Sequence, residues 1–370
     1  MVYRVIGLMS GSALDGLDIA FAEFQETSGN WSYTIRNTAT YDYPAEWRER
    51  LRKATSMNAV DYQLLNVDYG HYLGEQVNRF IGEQNIQYQV QLIASHGHTT
   101  FHIPQRRMTG QLGDGAAIAA ETGINVVSDL RAMDLALGGQ GAPIVPIGEK
   151  LLLGDHLYFL NIGGIANISF NDPSNYVAFD ICPANRVLNM LMKETGKYFD
   201  DGGQLAEKGD LKEDLLKMLN ELEYYRLPYP KSLANDFGTD LVYPLVSTRN
   251  NDVDDALRTY VEHIAVQVAR AVAELQGSHN ITEIKGDQQT MMVTGGGAKN
   301  TFLIKRLERL LEPLNVRLII PEPELVDFKE AIIMGLMGVL RWREENNVLA
   351  SVTGASRNSI GGAVWIGLEA

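Results

Sequence analysis

Three short glycine turns carry the first chemistry that can be read from this chain. Gly7-Leu8-Met9-Ser10-Gly11-Ser12-Ala13-Leu14-Asp15-Gly16-Leu17-Asp18 lies at the N-terminus, Gly163-Gly164 follows Leu157 to Asn161, and Gly295-Gly296-Gly297 follows Met291-Met292-Val293. Glycine lets successive backbone N–H groups converge on an anion with no Cβ in the way, and it reaches the positive φ that such nests need. Two hairpins of this kind can hold the β- and γ-phosphates of a nucleotide from opposite sides. The third turn, ahead of a helix, offers a flat backbone for an adenine or ribose and a helix N-terminus for phosphate. One glycine turn after a strand is more often structural, so the reading rests on the order and spacing of all three. No Gly-x-x-x-x-Gly-Lys-Ser/Thr run, no Gly-x-Gly-x-x-Gly after a strand and no protein-kinase signature competes with it.

The elements that must position these turns follow from the apolar periodicity. Val2 to Leu8 and Asp18 to Gln25 read as strands flanking the first turn, and a third strand falls within Trp31 to Tyr43, before Pro44. From Asn58 to Gln84, Val60, Leu64, Val67, Leu73, Val77 and Phe80 predict a helix buried on one face. Leu92-Ile93-Ala94 and Ile124 to Val127 read as buried strands. The second half begins in the same manner, with Leu157 to Asn161, a glycine bend and Ile165 to Phe170, then a strand at Tyr176 to Asp180. Helices are predicted from Asn185, over Asp252 to Leu275, Phe302 to Leu311 and Lys329 to Glu345, with a strand at Val316 to Ile320. Strands alternating with helices, and a hairpin recurring one domain length later, predict an α/β protein of two duplicated lobes with a cleft between them. The expected division puts residues 1–133 and about 355–370 in an N-terminal lobe and 134–354 in a C-terminal lobe, with Gly138-Gly139-Gln140-Gly141 before Pro143 as hinge candidate.

Composition limits the function. With 370 residues, 45% of them hydrophobic, two cores are affordable. A formal net charge of −14 repels nucleic acid and anionic lipid, so an anionic ligand must be held by a local site against the global field. A single cysteine, Cys182, excludes an intramolecular disulfide framework, and no apolar run approaches the length of a membrane span, so the cytoplasm is the expected compartment.

The run Gly7 to Asp18 resembles the first phosphate motif of the anhydro-N-acetylmuramic acid kinases, members of the actin/hexokinase-like ATPase superfamily. Ser95-His96-Gly97, Gln111-Leu112-Gly113-Asp114, Asp129-Leu130-Arg131, Gly138 to Pro143, Asn161 to Asn167, Phe179-Asp180, Pro183, Asn185 and Gly295 to Asn300 resemble family blocks in family order, over nearly the whole chain. The resemblance implies a two-lobed, ribonuclease-H-like fold and a reaction in which ATP phosphorylates a 1,6-anhydro amino sugar recovered from peptidoglycan while water opens the anhydro bridge. It implies that Gly11, Ser12, Ala13, Leu14, Asp15, Gly16, Leu17, Asp18, Asn161, Gly163, Gly164, Gly295, Gly296, Gly297 and Asn300 hold the nucleotide. Asp180 is the implied general base, and Asp15 and Asp180 reach Mg²⁺ through water. Arg131 is the implied partner of the sugar's lactyl carboxylate, Glu330 an acid facing the sugar, and His96 a further sugar contact. A homodimer is implied as well.

Other readings stay open on the residues alone. Arg131 can pair with Asp129 or Asp134, Glu330 can cap the first turn of its helix, and His96, His98 and His102 can be read as a metal site. Tyr224, Tyr225 and Tyr229 line a cleft or pack a loop. An ordinary hexosamine kinase, or a nucleotide-gated binding protein of the actin or chaperone type, uses the same fold. Ser12, Ala13, Ile181, Cys182, Ala184 and Ala234 depart from the family wording, and cysteine or alanine at a position of positive φ would be strained.

Overall fold

The computed structural model describes residues 1–11, 14, 16–172, 175–229, 231–234, 236–247, 252–278 and 288–367. Thirteen strands are formed among them: β1 Val2–Ser10, β2 Gly16–Thr27, β3 Asn30–Asp42, β4 Leu92–Ser95, β5 His98–Ile103, β6 Met108–Leu112, β7 Asn125–Ser128, β8 Tyr158–Ile162, β9 Ile165–Phe170, β10 Val177–Pro183, β11 Gln289–Thr294, β12 Val316–Ile319 and β13 Ala363–Trp365. Contacts divide the chain into two compact units, one of Met1–Leu153 with Phe328–Ala370 and one of Gly154–Asp327.

The first unit is built on a six-stranded sheet of order β13-β7-β4-β1-β2-β3, and the second on a five-stranded sheet of order β10-β9-β8-β11-β12. Each opens with three antiparallel strands joined by hairpins, and the next two strands run parallel to the first. The two sheets therefore repeat one plan, the α/β duplication expected of an actin/hexokinase-like ATPase, and β13 is an addition to the first. Central strands such as β4, with all four residues buried, are the near-continuous apolar runs that a sheet covered on both faces requires.

The expected lobe boundaries differ from this division. Residues 134–153 and 328–354 belong to the first unit because the helix Pro323–Trp342 meets its sheet backbone to backbone. A Cβ on Gly7 would stand 1.8 Å from the carbonyl oxygen of Ala331, and one on Gly338 would stand 2.6 Å from the Cβ of Ala94. Only paired small residues permit that approach. The Gly138–Gly141 loop lies inside the first unit, where Asp134 Oδ2 accepts from the Gly141 N–H at 2.7 Å, so it is not the point of division.

The helix Ala59–Gln84 forms where expected, with Asn58 capping it through the Asp61 N–H at 3.0 Å. Its buried face is not the expected one throughout. Leu65, Tyr69, Tyr72, Leu73, Val77 and Phe80 are buried, whereas Val60, Leu64 and Val67 are exposed. At 100° per residue those three lie on the side opposite Leu73, Val77 and Phe80.

Candidate active site

In the first unit the end of β1 turns into the first glycine motif. Ser10 pairs with Leu17 and Met9 with Asp18 across the hairpin, and Leu14 adopts a φ of 58° within the turn. Asp18 Oδ1 accepts from the Thr40 hydroxyl at 2.6 Å, and the Leu17 side chain is in the core, so Leu17 offers only its backbone. Gly11 and Gly16 sit at the two ends of the turn, and a Cβ on Gly16 would meet the Tyr41 carbonyl oxygen at 2.8 Å. Ser12, Ala13 and Asp15 lie outside the described residues.

The same unit brings His96, Arg131 and Glu330 together from three separate elements. His96 follows β4, its N–H bonded to the Leu8 carbonyl at 3.1 Å, and it is 4% exposed. Its Nδ1 faces the Gly97 carbonyl at 2.9 Å, which only accepts, so Nδ1 carries the proton and Nε2 accepts from Arg131 Nε–H at 2.9 Å. Burial, then the neighbouring Arg131 charge, push the imidazole down to about 3, so it is neutral. The Arg131 guanidinium also donates to the Gly141 carbonyl. Burial lowers it to about 10, opposed by the charges of Glu330 and Asp134, yet it stays cationic. Arg131 makes no ion pair with Asp129, and the Asp134 oxygens are used by the Gly141 N–H and the Thr353 hydroxyl. The surface-pair reading of Arg131 therefore gives way to a half-buried cation fixed by a histidine and a carbonyl. Glu330 stands in the third turn of its helix, away from the cap position. The preceding Lys329 forms an ion pair with Glu149 at 2.9 Å, both side chains 4% exposed, and this pins the rotation of the helix that carries Glu330.

The histidines do not form a metal centre: His96 and His98 are buried, His102 is exposed on the β5–β6 hairpin, and no group of three ligating side chains occurs among the described residues.

In the second unit, parallel pairing of β8 with β11 sets Asn161 opposite Thr294 and so brings two of the glycine turns side by side. Gly295 has a φ of 80°, and a Cβ there would stand 2.7 Å from Asn161 Oδ1. Gly297 packs on Ile162, where a Cβ would be 2.2 Å from the isoleucine side chain. Gly163 and Gly164 are open by contrast, with no atom within 3.5 Å of a Cβ built on either. Their carbonyls accept from the N–H groups of Asn185 and Ala184 at 3.0 and 2.8 Å, which ties the hairpin to the helix Asn185–Lys193. Asn300 caps the helix Thr301–Leu311 through the Leu303 N–H at 2.9 Å. Gly296 and Asn300 also line a cavity of about 410 Å³ with Asn189, Phe199, Asp201 and Lys299. Of these, Asn189, Phe199 and Asp201 carry no signal in a search for glycine turns, because the fold brings them from the helix Asn185–Lys193 and the chain that follows it, whereas Lys299 lies within the run of the third turn.

Asp180 sits on β10, where the pairing with β9 shifts register between Asp180 and Cys182. Such a bulge re-aims a side chain. The Leu233 N–H donates to Asp180 Oδ2 at 2.8 Å, the Asp180 N–H donates to the Lys231 carbonyl at 3.1 Å, and the Tyr224 hydroxyl donates to the Asp180 carbonyl at 2.7 Å. Burial raises the carboxyl above its ordinary range, and the Leu233 N–H offsets this in part. Of the aromatic cluster, Tyr224 thus holds the Asp180 backbone, while Tyr229 stacks on Phe179 at 5.3 Å. Cys182 is fully buried with its thiol pushed well up, which leaves no nucleophile there. Neither Cys182, Ala184 nor Ala234 has a positive φ, so none of them carries the strain of a left-handed backbone. Sequence reading passed over Arg186, whose guanidinium lies 3.7 Å from a Cβ built on Gly164 and whose buried Nε has no partner among the described residues.

Residues 3–367 match the family model described as anhydro-N-acetylmuramic acid kinase. The chain belongs to this family. One relative bearing that family's name, from Vibrio parahaemolyticus, is 34% identical over 95% of this chain and 95% of its own. Another, from a Sulfurovum species, is 31% identical over 98% of this chain and 99% of its own. Among solved structures, the activator of the 2-hydroxyisocaproyl-CoA dehydratase from Clostridium difficile aligns with a TM-score of 0.45 at 13% identity, covering 92% of this chain and 96% of that one. Within the family's match fall every glycine turn, Asp180, Arg131 and Glu330. No helix among the described residues is long and apolar enough to cross a membrane.

Proposed function

We propose that this member of the anhydro-N-acetylmuramic acid kinase family uses ATP to phosphorylate O6 of anhydro-N-acetylmuramate as water opens the 1,6-anhydro ring, giving N-acetylmuramate 6-phosphate for peptidoglycan recycling. The observation that carries the chemistry is Asp180: a carboxylate on a strand bulge, held by Leu233 and Tyr224, with its proton affinity raised by burial. That environment suits a general base. The anhydro sugar has no free 6-hydroxyl, so the step needs a base that takes a proton from water as the water oxygen bonds to the anomeric carbon. The bridging oxygen keeps its bond to C6, leaves the anomeric carbon and bonds to the γ-phosphorus, and ADP departs.

Support for the nucleotide comes from the cradle itself. Gly163 and Gly164 leave space for an anion, and the cavity beside Gly296 has apolar, amide and charged groups suited to a purine and ribose. The first glycine motif from Gly11 to Asp18, with Asn161, Gly295, Gly297 and Asn300, completes the proposed nucleotide set. Mg²⁺, when bound, would neutralise phosphate charge, and Asp180 and Asp15 are the carboxylates proposed to meet it through water. Arg131, with a fork suited to a carboxylate, His96 and Glu330 are proposed for the sugar. By resemblance to the family, the assembly is proposed to be a homodimer in the cytoplasm.

The test is ADP release by the full chain with ATP and Mg²⁺, comparing anhydro-N-acetylmuramate with N-acetylglucosamine, and repeated in oxygen-18 water. Sugar-dependent turnover with label at the anomeric position is expected. Turnover of N-acetylglucosamine alone would instead indicate a hexosamine kinase, and slow sugar-independent hydrolysis a nucleotide-gated binding protein.

A further inference from the structure

A line of buried hydroxyls runs from the core of the first unit to the first glycine turn. The hydroxyls of Tyr69 and Tyr43 are 2.6 Å apart, the Tyr43 hydroxyl donates to Ser10 Oγ at 2.8 Å, and Ser10 Oγ lies 3.1 Å from His98 Nδ1. Ser10, His98, Tyr43 and Tyr69 are all no more than 5% exposed. Since Tyr43 spends its proton on Ser10, its oxygen accepts from Tyr69. Ser10 then has one proton left, and His98 Nδ1 is the acceptor in reach. Reversing the last bond would strand a buried hydroxyl proton, which costs free energy. Burial pushes Tyr43 up to about 12 and His98 down to about 4, so the hydroxyls keep their protons and the imidazole is neutral.

The consequence is a pair of opposed histidines. His96 carries its proton on Nδ1, with Nε2 accepting from Arg131. His98, with Nδ1 accepting from Ser10, carries its proton on Nε2. No described group bonds that Nε2, and it is not among the buried side-chain atoms that are closed off without a partner. His98 is also close enough to His96 for the two rings to influence each other.

We infer that the Tyr69–Tyr43–Ser10 chain locks His98 as the Nε2–H tautomer, so that this N–H donates to an acceptor oxygen of the sugar beside His96 and Arg131. The choice of the sugar rests on the function proposed above, whereas the tautomer does not. His98 is then a substrate-orienting donor, and Tyr43 and Tyr69 are positioning residues acting through Ser10.

Long-range nitrogen–proton spectra of the full chain, labelled with nitrogen-15 at histidine, read the tautomers at neutral pH without any ligand. His98 is expected as Nε2–H and His96 as Nδ1–H, and in Ser10→Ala the His98 signals move toward a mixture of the two forms. An Nδ1–H or protonated His98 in the wild-type chain overturns the proposal. In kinetics, His98→Leu should raise KM for the anhydro sugar about tenfold, the scale of one lost hydrogen bond, with KM for ATP unchanged. His98→Gln, which keeps a donor at similar reach, should recover most of the loss. An unchanged sugar KM in His98→Leu overturns the sugar contact. Absence of turnover by the wild-type chain overturns the function and with it the sugar as acceptor, and the spectra still report on the hydroxyl chain.

Discussion

Arg131 donates its Nε–H to Nε2 of His96 at 2.9 Å, a bond that fixes the guanidinium plane and the imidazole tautomer at once. A lysine can place a charge there but cannot reproduce the planar fork. Arg131→Lys is expected to raise KM for the anhydro sugar about 10- to 100-fold, as for a lost charge-assisted hydrogen bond, with KM for ATP unchanged. Steady-state kinetics with each substrate varied separately checks it. An equal loss for both substrates would assign Arg131 to the fold and not to the sugar.

Asp180→Asn should lower kcat by about a hundred- to ten-thousand-fold, the span of general-base catalysis, with nucleotide affinity nearly intact. The same variant should be more stable than the wild type at neutral pH. Asp180 has a raised proton affinity in the fold, so folding takes up a proton as pH falls, and above that range the ionised carboxylate is a cost that asparagine removes. Asparagine can still accept the Leu233 N–H. Chemical denaturation at neutral pH and near pH 3 measures both ends, and the stability advantage should vanish at the acid end.

Acid should destabilise the chain well before its paired carboxylates protonate. His96 and His263 are held down at about 3 and His98 at about 4, all by burial first. Each is neutral in the fold and takes a proton in the unfolded chain below about pH 6.5. Their contribution is therefore fully present above pH 6.5 and is lost progressively as pH falls, through about 4 for His98 and about 3 for His96 and His263. Near pH 5 the three together give a slope of about 4 kcal/mol per pH unit, one proton each. The raised carboxyls of Asp129 and Asp180 act in the opposite direction. Urea denaturation at stepped pH reads the slope, and replacing His98 by glutamine should reduce the histidine contribution by about a third.

Lys329→Met should destabilise the fold by about 3–5 kcal/mol, because it removes the cation from a buried carboxylate. Lys329→Met combined with Glu149→Leu should cost less than the single change. Denaturant midpoints of the two singles and the double give the coupling, and additive effects would show that the pair does not act as a unit.

Much of the fold was legible because its signals are local. The strand, glycine turn, strand wording at Gly7–Asp18 and again at Gly163–Gly164 predicts the doubled sheet, and both sheets repeat one strand order. The face of the helix Ala59–Gln84 was misread at Val60, Leu64 and Val67 because their spacing is internally helical. The count of residues from there to Leu73 places them on the opposite side. The lobe boundaries were misplaced for a different reason: Gly335 and Gly338 look like weak points in a helix, and only their contact with the sheet shows that they dock it.

Sequence by itself determined which residue types recur at phosphate-compatible turns, the alternation of strands and helices, and the family whose wording they share. It could name His96, Arg131 and Glu330 as candidates, but not that Arg131 donates to His96 and is not paired with Asp129. Tertiary structure alone decided those partners, the bulge that aims Asp180, the Lys329–Glu149 pair and the hydroxyl line from Tyr69 to His98. The physical reason is range. A turn or a helix face is set by neighbours a few residues away, whereas protonation states and side-chain partners are set by groups brought close from far along the chain.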